Sequence, residues 1–166
     1  MESAYGIPYE KLYEDGVRGL LYDIDNTLVE HGADATAQAV ELIRHLRRMG
    51  FAVMFLSNND EERVQRFNRE IGADYIYKAG KPSPKSYIRA MRDMGTDAAT
   101  TVFIGDQLFT DIWGAKRAGI RTYLVRPVAK REEIQIVLKR RLERIVLFFY
   151  RRHKGKRPAR KKDGEG

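Results

Sequence analysis

A doubly wound α/β fold, with five parallel strands covered by helices on both faces, is what this chain of 166 residues predicts. Three observations lead there. Apolar runs recur at 19–24, 51–57, 74–77, 101–105 and 121–125, and helical periods fill the intervals between them. Polar residues then stand just past the ends of several of those runs. Near-continuous apolar strands alternating with amphipathic helices call for a parallel sheet buried on both faces, and right-handed crossovers wind it open. The length suits one domain with a full core.

The first run, "GLLYDI", ends in an acid at Asp23 and is followed by a second at Asp25. "ATAQAVELIRHLRRM" puts Ala39, Ile43 and Leu46 on one helical face, with Asp34 or Thr36 able to cap its start. After the strand at 51–57, "NDEERVQRFNREI" carries Asp60, Glu61 and Glu62 in a first turn, where the helix dipole favours acids. "PKSYIRAMRDM" opens on Pro84 in the permitted first-turn position, and Gly95 can end it. "DIWGAKRAG" supplies a shorter fourth helix between the last two strands. No internal repeat interrupts this order, and no long linker precedes residue 151.

Charge divides the chain. The net +8 conceals a nearly neutral stretch over residues 1–138, at −1, and a basic one over 139–166, at +9. Within "EEIQIVLKRRLERIVLFFYRR", Ile134, Leu138, Leu142, Ile145 and Phe149 form a helical stripe opposite Arg and Lys. The expected organisation is therefore one domain over 1–150, ending in an amphipathic helix at about 131–150. A basic, disordered tail follows over 151–166. Such a segment suits a stripe packed on the domain with a solvated tail, peripheral contact with anionic membrane, or RNA or ribosome binding. Cysteine is absent, which excludes disulfides, thiolate metal sites and a cysteine nucleophile. No secretory leader opens the chain and no apolar run exceeds six residues, so a cytoplasmic location is expected, with at most a peripheral place at the inner face of the membrane.

In open α/β sheets ligands gather at the carboxyl ends of the strands. Asp23 and Asp25 follow the first strand, Ser57 and Asn58 the second, "AGKPSP" the third, and Asp106 the fourth. Acids converging on one sheet edge repel one another unless a cation stands between them, and Mg2+ is a hard cation suited to few carboxylates. Asp23 can then attack phosphorus, and Asp25, two residues on, can exchange the proton. Ser57 and a lysine supply the hydroxyl and point charge for a phosphoryl group. Lys78, Lys81 and Lys85 are all near; Lys81 is preferred because it directly precedes Pro82. Each residue alone has an ordinary reading: acids after a strand cap loops, and Ser57 caps the next helix. Asn26 and Thr27 are expected to secure the loop, and Phe109 and Trp113 to pack in the core.

Taken together, "DIDNTLV", "FLSNN", "GKPSP" and "IGDQLFTD" resemble, in order, the four motifs of the haloacid dehalogenase (HAD) superfamily phosphatases. The resemblance covers about residues 17–126 and is nearest the YqeG-like class III subgroup, whose fungal and plant relatives dephosphorylate phosphatidylglycerophosphate. It implies a HAD-like, Rossmann-like fold, Asp23 as nucleophile and Asp25 as general acid/base. It further implies Mg2+ held by Asp23, the Asp25 carbonyl and Asp106, phosphate held by Ser57, Asn58 and Lys81, and Asp111 in support. The gaps at 29–50 and 59–77 are too short for an inserted cap domain. The expected function is hydrolysis of a phosphomonoester, with phosphatidylglycerophosphate as leading substrate and a soluble sugar or nucleotide phosphate as the other enzymatic reading. A ribosome or nucleic-acid binding module on the same scaffold is the rival outside enzymes. Nothing in the pattern sets an oligomeric state.

Overall fold

The structure is a computed structural model, and it describes residues 3–128. The helix expected at 131–150 and the tail at 151–166 lie outside the described residues.

The five strands are β1 (Gly19–Tyr22), β2 (Ala52–Leu56), β3 (Asp74–Ile76), β4 (Thr101–Gly105) and β5 (Arg121–Leu124). They form one parallel sheet in the order β3-β2-β1-β4-β5. The order reverses between β1 and β4, so the switch point lies beyond Tyr22 and Gly105. Two-residue alternation along each strand sorts the core into two layers. Leu20, Tyr22, Val53, Phe55, Val102 and Ile104 pack on one face with α2 (Ala37–Arg48) and α3 (Glu61–Asn68). Leu21, Met54, Leu56 and Phe103 face the other way, onto α4 (Lys85–Asp93) and α5 (Trp113–Arg117). Edge-to-face contacts at 5.2 Å, Phe55 on Phe67 and Tyr87 on Phe103, tie strand to helix in each layer.

Local chemistry sets the helix ends. Thr36, not Asp34, caps α2 by accepting from the Ala39 N–H at 3.2 Å. Asp34 instead pairs with Arg66. Asp60 caps α3, accepting from the Arg63 N–H at 2.9 Å. Pro84 immediately precedes α4, and Gly95 follows it at φ +68°, where a glycine is least strained. The fourth expected helix begins earlier and wider than its pattern suggests. A π-helical turn over Leu108–Ile112 leads into α5.

An N-terminal element was not in the pattern. A short 3₁₀ turn (Ala4–Gly6) and α1 (Tyr9–Glu14) pack Tyr9 and Leu12 into the first layer. The buried Tyr22 hydroxyl donates to the Tyr9 hydroxyl at 2.7 Å, which donates onward to the Ala4 carbonyl at 2.6 Å. The Tyr5 hydroxyl reaches the Leu28 carbonyl at 2.6 Å, so this segment also holds the loop after β1. One helix, α2, joins that loop to β2, and α3 with β3 leads on towards Lys81. No cap domain interrupts either connection.

Candidate active site

The chain leaves β1 through a tight loop. The Thr27 and Leu28 N–H groups both donate to the Ile24 carbonyl. Asn26 takes φ +64°, a region asparagine tolerates better than most side chains. The turn leaves Asp23 and Asp25 buried at the sheet edge. Thr27, also buried, donates to Asp106 Oδ1 at 3.4 Å and so links the loops after β1 and β4.

Beside Asp23 lies a buried ionic cluster. Lys81 Nζ stands 2.6 Å from Asp23 Oδ1 and 2.7 Å from Asp111 Oδ1. Asp111 is fully buried on the π-helical turn, and its Oδ2 accepts from the Gln107 N–H at 3.1 Å. Asp23, Asp106 and Asp111 each offer an oxygen within 4.8 Å of the others. Burial pushes the Asp23 carboxyl up to about 7, with Asp111 and Asp106 adding repulsion and Lys81 opposing. Burial alone would drive Lys81 towards its neutral form; the Asp111 and Asp23 carboxylates outweigh it and hold the ammonium charged. Asp23 Oδ2 is buried and has no hydrogen-bond partner among the described residues.

Asp25 lives in different company. Its Oδ1 accepts from the Gly32 N–H at 2.8 Å and from Arg63 Nη2 at 2.8 Å, and its Oδ2 accepts from Asn59 Nδ2. His31 Nδ1 lies 3.8 Å from Oδ2. Burial would raise this carboxyl, but the Gly32 N–H and the Arg63 guanidinium hold it below the ordinary carboxylate value.

The remaining expected residues take distinct places. Ser57 is buried, and its Oγ accepts from the Asn59 N–H and from Asn59 Nδ2, at 3.2 and 3.1 Å. Its ordinary reading as a helix cap fails, because Asp60 does that work. Asn58 donates to the Lys81 carbonyl at 3.1 Å and accepts from the Lys81 N–H at 2.8 Å. Its amide braces the lysine loop. Lys78 and Lys85 are exposed. Phe109 and Trp113, expected in the core, are 77% and 53% exposed. The π-helical turn rotates them outward while it turns Asp111 inward. Arg63 carried no signal in the sequence, and Asn59 stood there as the last residue of "FLSNN", with no role of its own.

Two glycines make the packing possible. A Cβ on Gly105 would meet Asp111 Oδ2 at 2.6 Å, and one on Gly114 would meet the Tyr87 hydroxyl at 2.7 Å. That hydroxyl donates to the Thr110 carbonyl, so α4 and the π-helical turn meet there with no room for a methyl.

Comparison with known proteins identifies the family and the fold. A family model described as haloacid dehalogenase-like hydrolase matches residues 30–119. The chain is 39% identical over 153 residues to "Probable phosphatase YqeG" of Bacillus subtilis (strain 168), covering 92% of this chain and 89% of that one. It is 28% identical to the chloroplastic/mitochondrial phosphatidylglycerophosphate phosphatase 1 of Arabidopsis thaliana, covering 92% of this chain but 47% of that protein. Among solved structures, a HAD family enzyme of Bacteroides thetaiotaomicron, in complex with magnesium and inorganic phosphate, superposes with a TM-score of 0.58 at 15% identity. That match covers 72% of this chain and 99% of the other, and it speaks to the fold. With a relative this similar over nearly its whole length, the chain belongs to the haloacid dehalogenase-like hydrolases and is a phosphatase of that family.

Proposed function

We propose that this phosphatase hydrolyses phosphomonoesters through an aspartyl phosphate on Asp23, with a divalent cation, Mg2+, at the acidic cluster. The observation that carries the reading is the cluster in which Asp23, Asp106 and Asp111 each offer an oxygen at the switch point of the sheet, with the buried Asp23 Oδ2 lacking a hydrogen-bond partner among the described residues. Hard carboxylate oxygens at this spacing suit Mg2+. Both Asp111 oxygens already have donors, Lys81 and the Gln107 N–H. As the motif resemblance implies, Asp23 and Asp106 are the side chains that would hold the cation, and Asp111 holds Lys81. When bound, the cation supplies positive charge that keeps Asp23 ionised and offsets the charge of an incoming phosphate.

Asp23 attacks phosphorus as the ester oxygen leaves with a proton from Asp25, which must carry that proton into the step against the pull of Arg63 and the Gly32 N–H. Water then attacks the phosphorus of the aspartyl phosphate, Asp25 takes the water's proton, and Asp23 departs as a free carboxylate. Ser57 and Lys81 hold the phosphoryl oxygens as charge moves between them.

For substrate, we infer a phosphate ester carried by a lipid, such as phosphatidylglycerophosphate. Leu108, Phe109 and Trp113 are all more than half exposed on the segment that also carries Asp111. With Ile112 and Lys116 they line an apolar cleft of about 400 Å³, and Arg117 stacks over the Trp113 ring at 5.2 Å. Apolar and aromatic side chains beside basic ones suit an anionic lipid interface. The plant relative's name points the same way. Among the described residues no helix is long and apolar enough to cross a membrane, so a lipid substrate would be met at the surface. The test is release of phosphate from a panel of lipid phosphates in anionic vesicles and of soluble sugar and nucleotide phosphates, with Mg2+ or excess chelator. The reading expects metal-dependent release, preferring lipid esters and weakened by Phe109→Ser with Trp113→Ser. Preference for soluble esters would overturn the lipid assignment alone; full activity in chelator would overturn the metal.

A further inference from the structure

Asp25 is held from several sides, and α3 contributes to the hold both directly and through the loop at Gly32. Arg63 and Arg66 stand one turn apart on the same helix face. Arg66 donates from Nη2 to the Gly32 carbonyl and from Nε to Asp34, both at 2.7 Å, so it fixes the loop that presents the Gly32 N–H to Asp25. Arg63 reaches Asp25 directly at 2.8 Å, with its side chain 11% exposed and lying over the Phe67 ring at 5.8 Å. Asn59 completes the grip, because its single amide group touches both Asp25 Oδ2 and Ser57 Oγ. Between them, the three donors engage both carboxylate oxygens. The other buried carboxylates among the described residues, Asp23 and Asp111, accept from Lys81 and, for Asp111, from the Gln107 N–H, rather than from α3.

We propose that Arg63 and Asn59 are positioning residues for Asp25, fixing the direction in which its carboxylate meets the leaving oxygen and the attacking water. The inference rests on the reading of Asp25 as the proton-transfer group. Arg63 Nε and Nη1 are buried and have no partner among the described residues. The guanidinium therefore has donors in reserve with which to follow the carboxylate while its proton is given up and regained. Neither residue needs to touch phosphate.

A positioning role predicts a dependence on the leaving group that a merely structural role does not. An alkoxide needs the proton that Asp25 gives it, whereas para-nitrophenolate departs without one. With the full chain and Mg2+, Arg63→Gln should lower kcat/KM for an alkyl phosphate by about 100-fold, the scale of general-acid catalysis. The initial burst of para-nitrophenolate from para-nitrophenyl phosphate should change far less, and slow turnover should follow it. Arg63→Lys should recover part of the alkyl phosphate activity. Asp25→Asn combined with Arg63→Gln should be no slower than Asp25→Asn, since the arginine acts through the missing carboxylate. Asn59→Ala should show the same leaving-group pattern, and it carries the test if Arg63→Gln does not fold. Equal losses on both substrates, or additive losses in the double variant, would overturn the inference and leave the reading of Asp25 intact. An Asp25→Asn protein active on alkyl phosphates would instead overturn that reading, and the inference with it.

Discussion

At Lys81 a single ammonium, 7% exposed, serves two carboxylates. Removing it leaves Asp23 and Asp111 without their counter-charge in a volume largely closed to water. Lys81→Met should therefore lower the stability of the metal-free protein by about 3 kcal/mol, the scale for breaking a buried pair. Mg2+ should restore part of that loss, and phosphatase activity should stay low because the phosphoryl oxygens lose their point charge. Urea unfolding with and without Mg2+ would check the first two points. A variant as stable as the parent in chelator would contradict them. Asp23, Asp25, Ser57 and Asp106 stood out in the sequence because each lies just past the end of a strand. The partnership between Asp25 and Arg63 did not. Arg63 lies in "NDEERVQRFNREI", where it reads as one more solvated arginine, and its partner is 38 residues away. Such a pairing exists only once α3 lies beside the loop after β1.

Among the elements, the strands and the helices α2, α3 and α4 were legible because each repeats its pattern over enough residues. Ala39, Ile43 and Leu46 on α2 are buried as their spacing predicts. The N-terminal α1 has six residues between Pro8 and Gly16, too few for a period to emerge. It is held instead by the Tyr22–Tyr9–Ala4 hydroxyl chain. The turn at Leu108–Ile112 misled for a related reason. A π-helical turn shifts the register within one short segment, so residues that an α-helical count would bury face outward. This turn fits against β4 only because residue 105 lacks a side chain. Gly105→Ala should push Asp111 away from Lys81, destabilise the fold by about 1–3 kcal/mol through overpacking, and reduce turnover disproportionately. Thermal melts beside kinetics would show both. Parent-like turnover in a protein of parent-like stability would mean that Asp111 tolerates displacement.

Across the whole molecule, the sheet order puts β1 and β4 side by side and so brings together Asp23 and Asp106, which are 83 residues apart in the sequence. The Asp23 carboxyl, raised from 3.8 to about 7 in the fold, binds its proton more tightly folded than unfolded. Its contribution to stability is therefore full below about pH 4 and is lost as pH rises through about 7. Asp25 is held below its ordinary value, so its contribution is present at neutral pH and fails only in acid. A divalent cation competes with the Asp23 proton, so Mg2+ should raise the Tm more at about pH 8 than at about pH 6. An equal or smaller increment at the higher pH would mean that the cation does not bind at Asp23. The most direct test of the central claim is the phosphoenzyme itself. Protein mixed with substrate and Mg2+, quenched rapidly in acid and analysed by peptide mass spectrometry, should carry a phosphoryl group on Asp23. The Asp23→Asn protein should carry none and turn nothing over. A phosphoryl group on another side chain, or full turnover by Asp23→Asn purified free of the parent protein, would contradict the account.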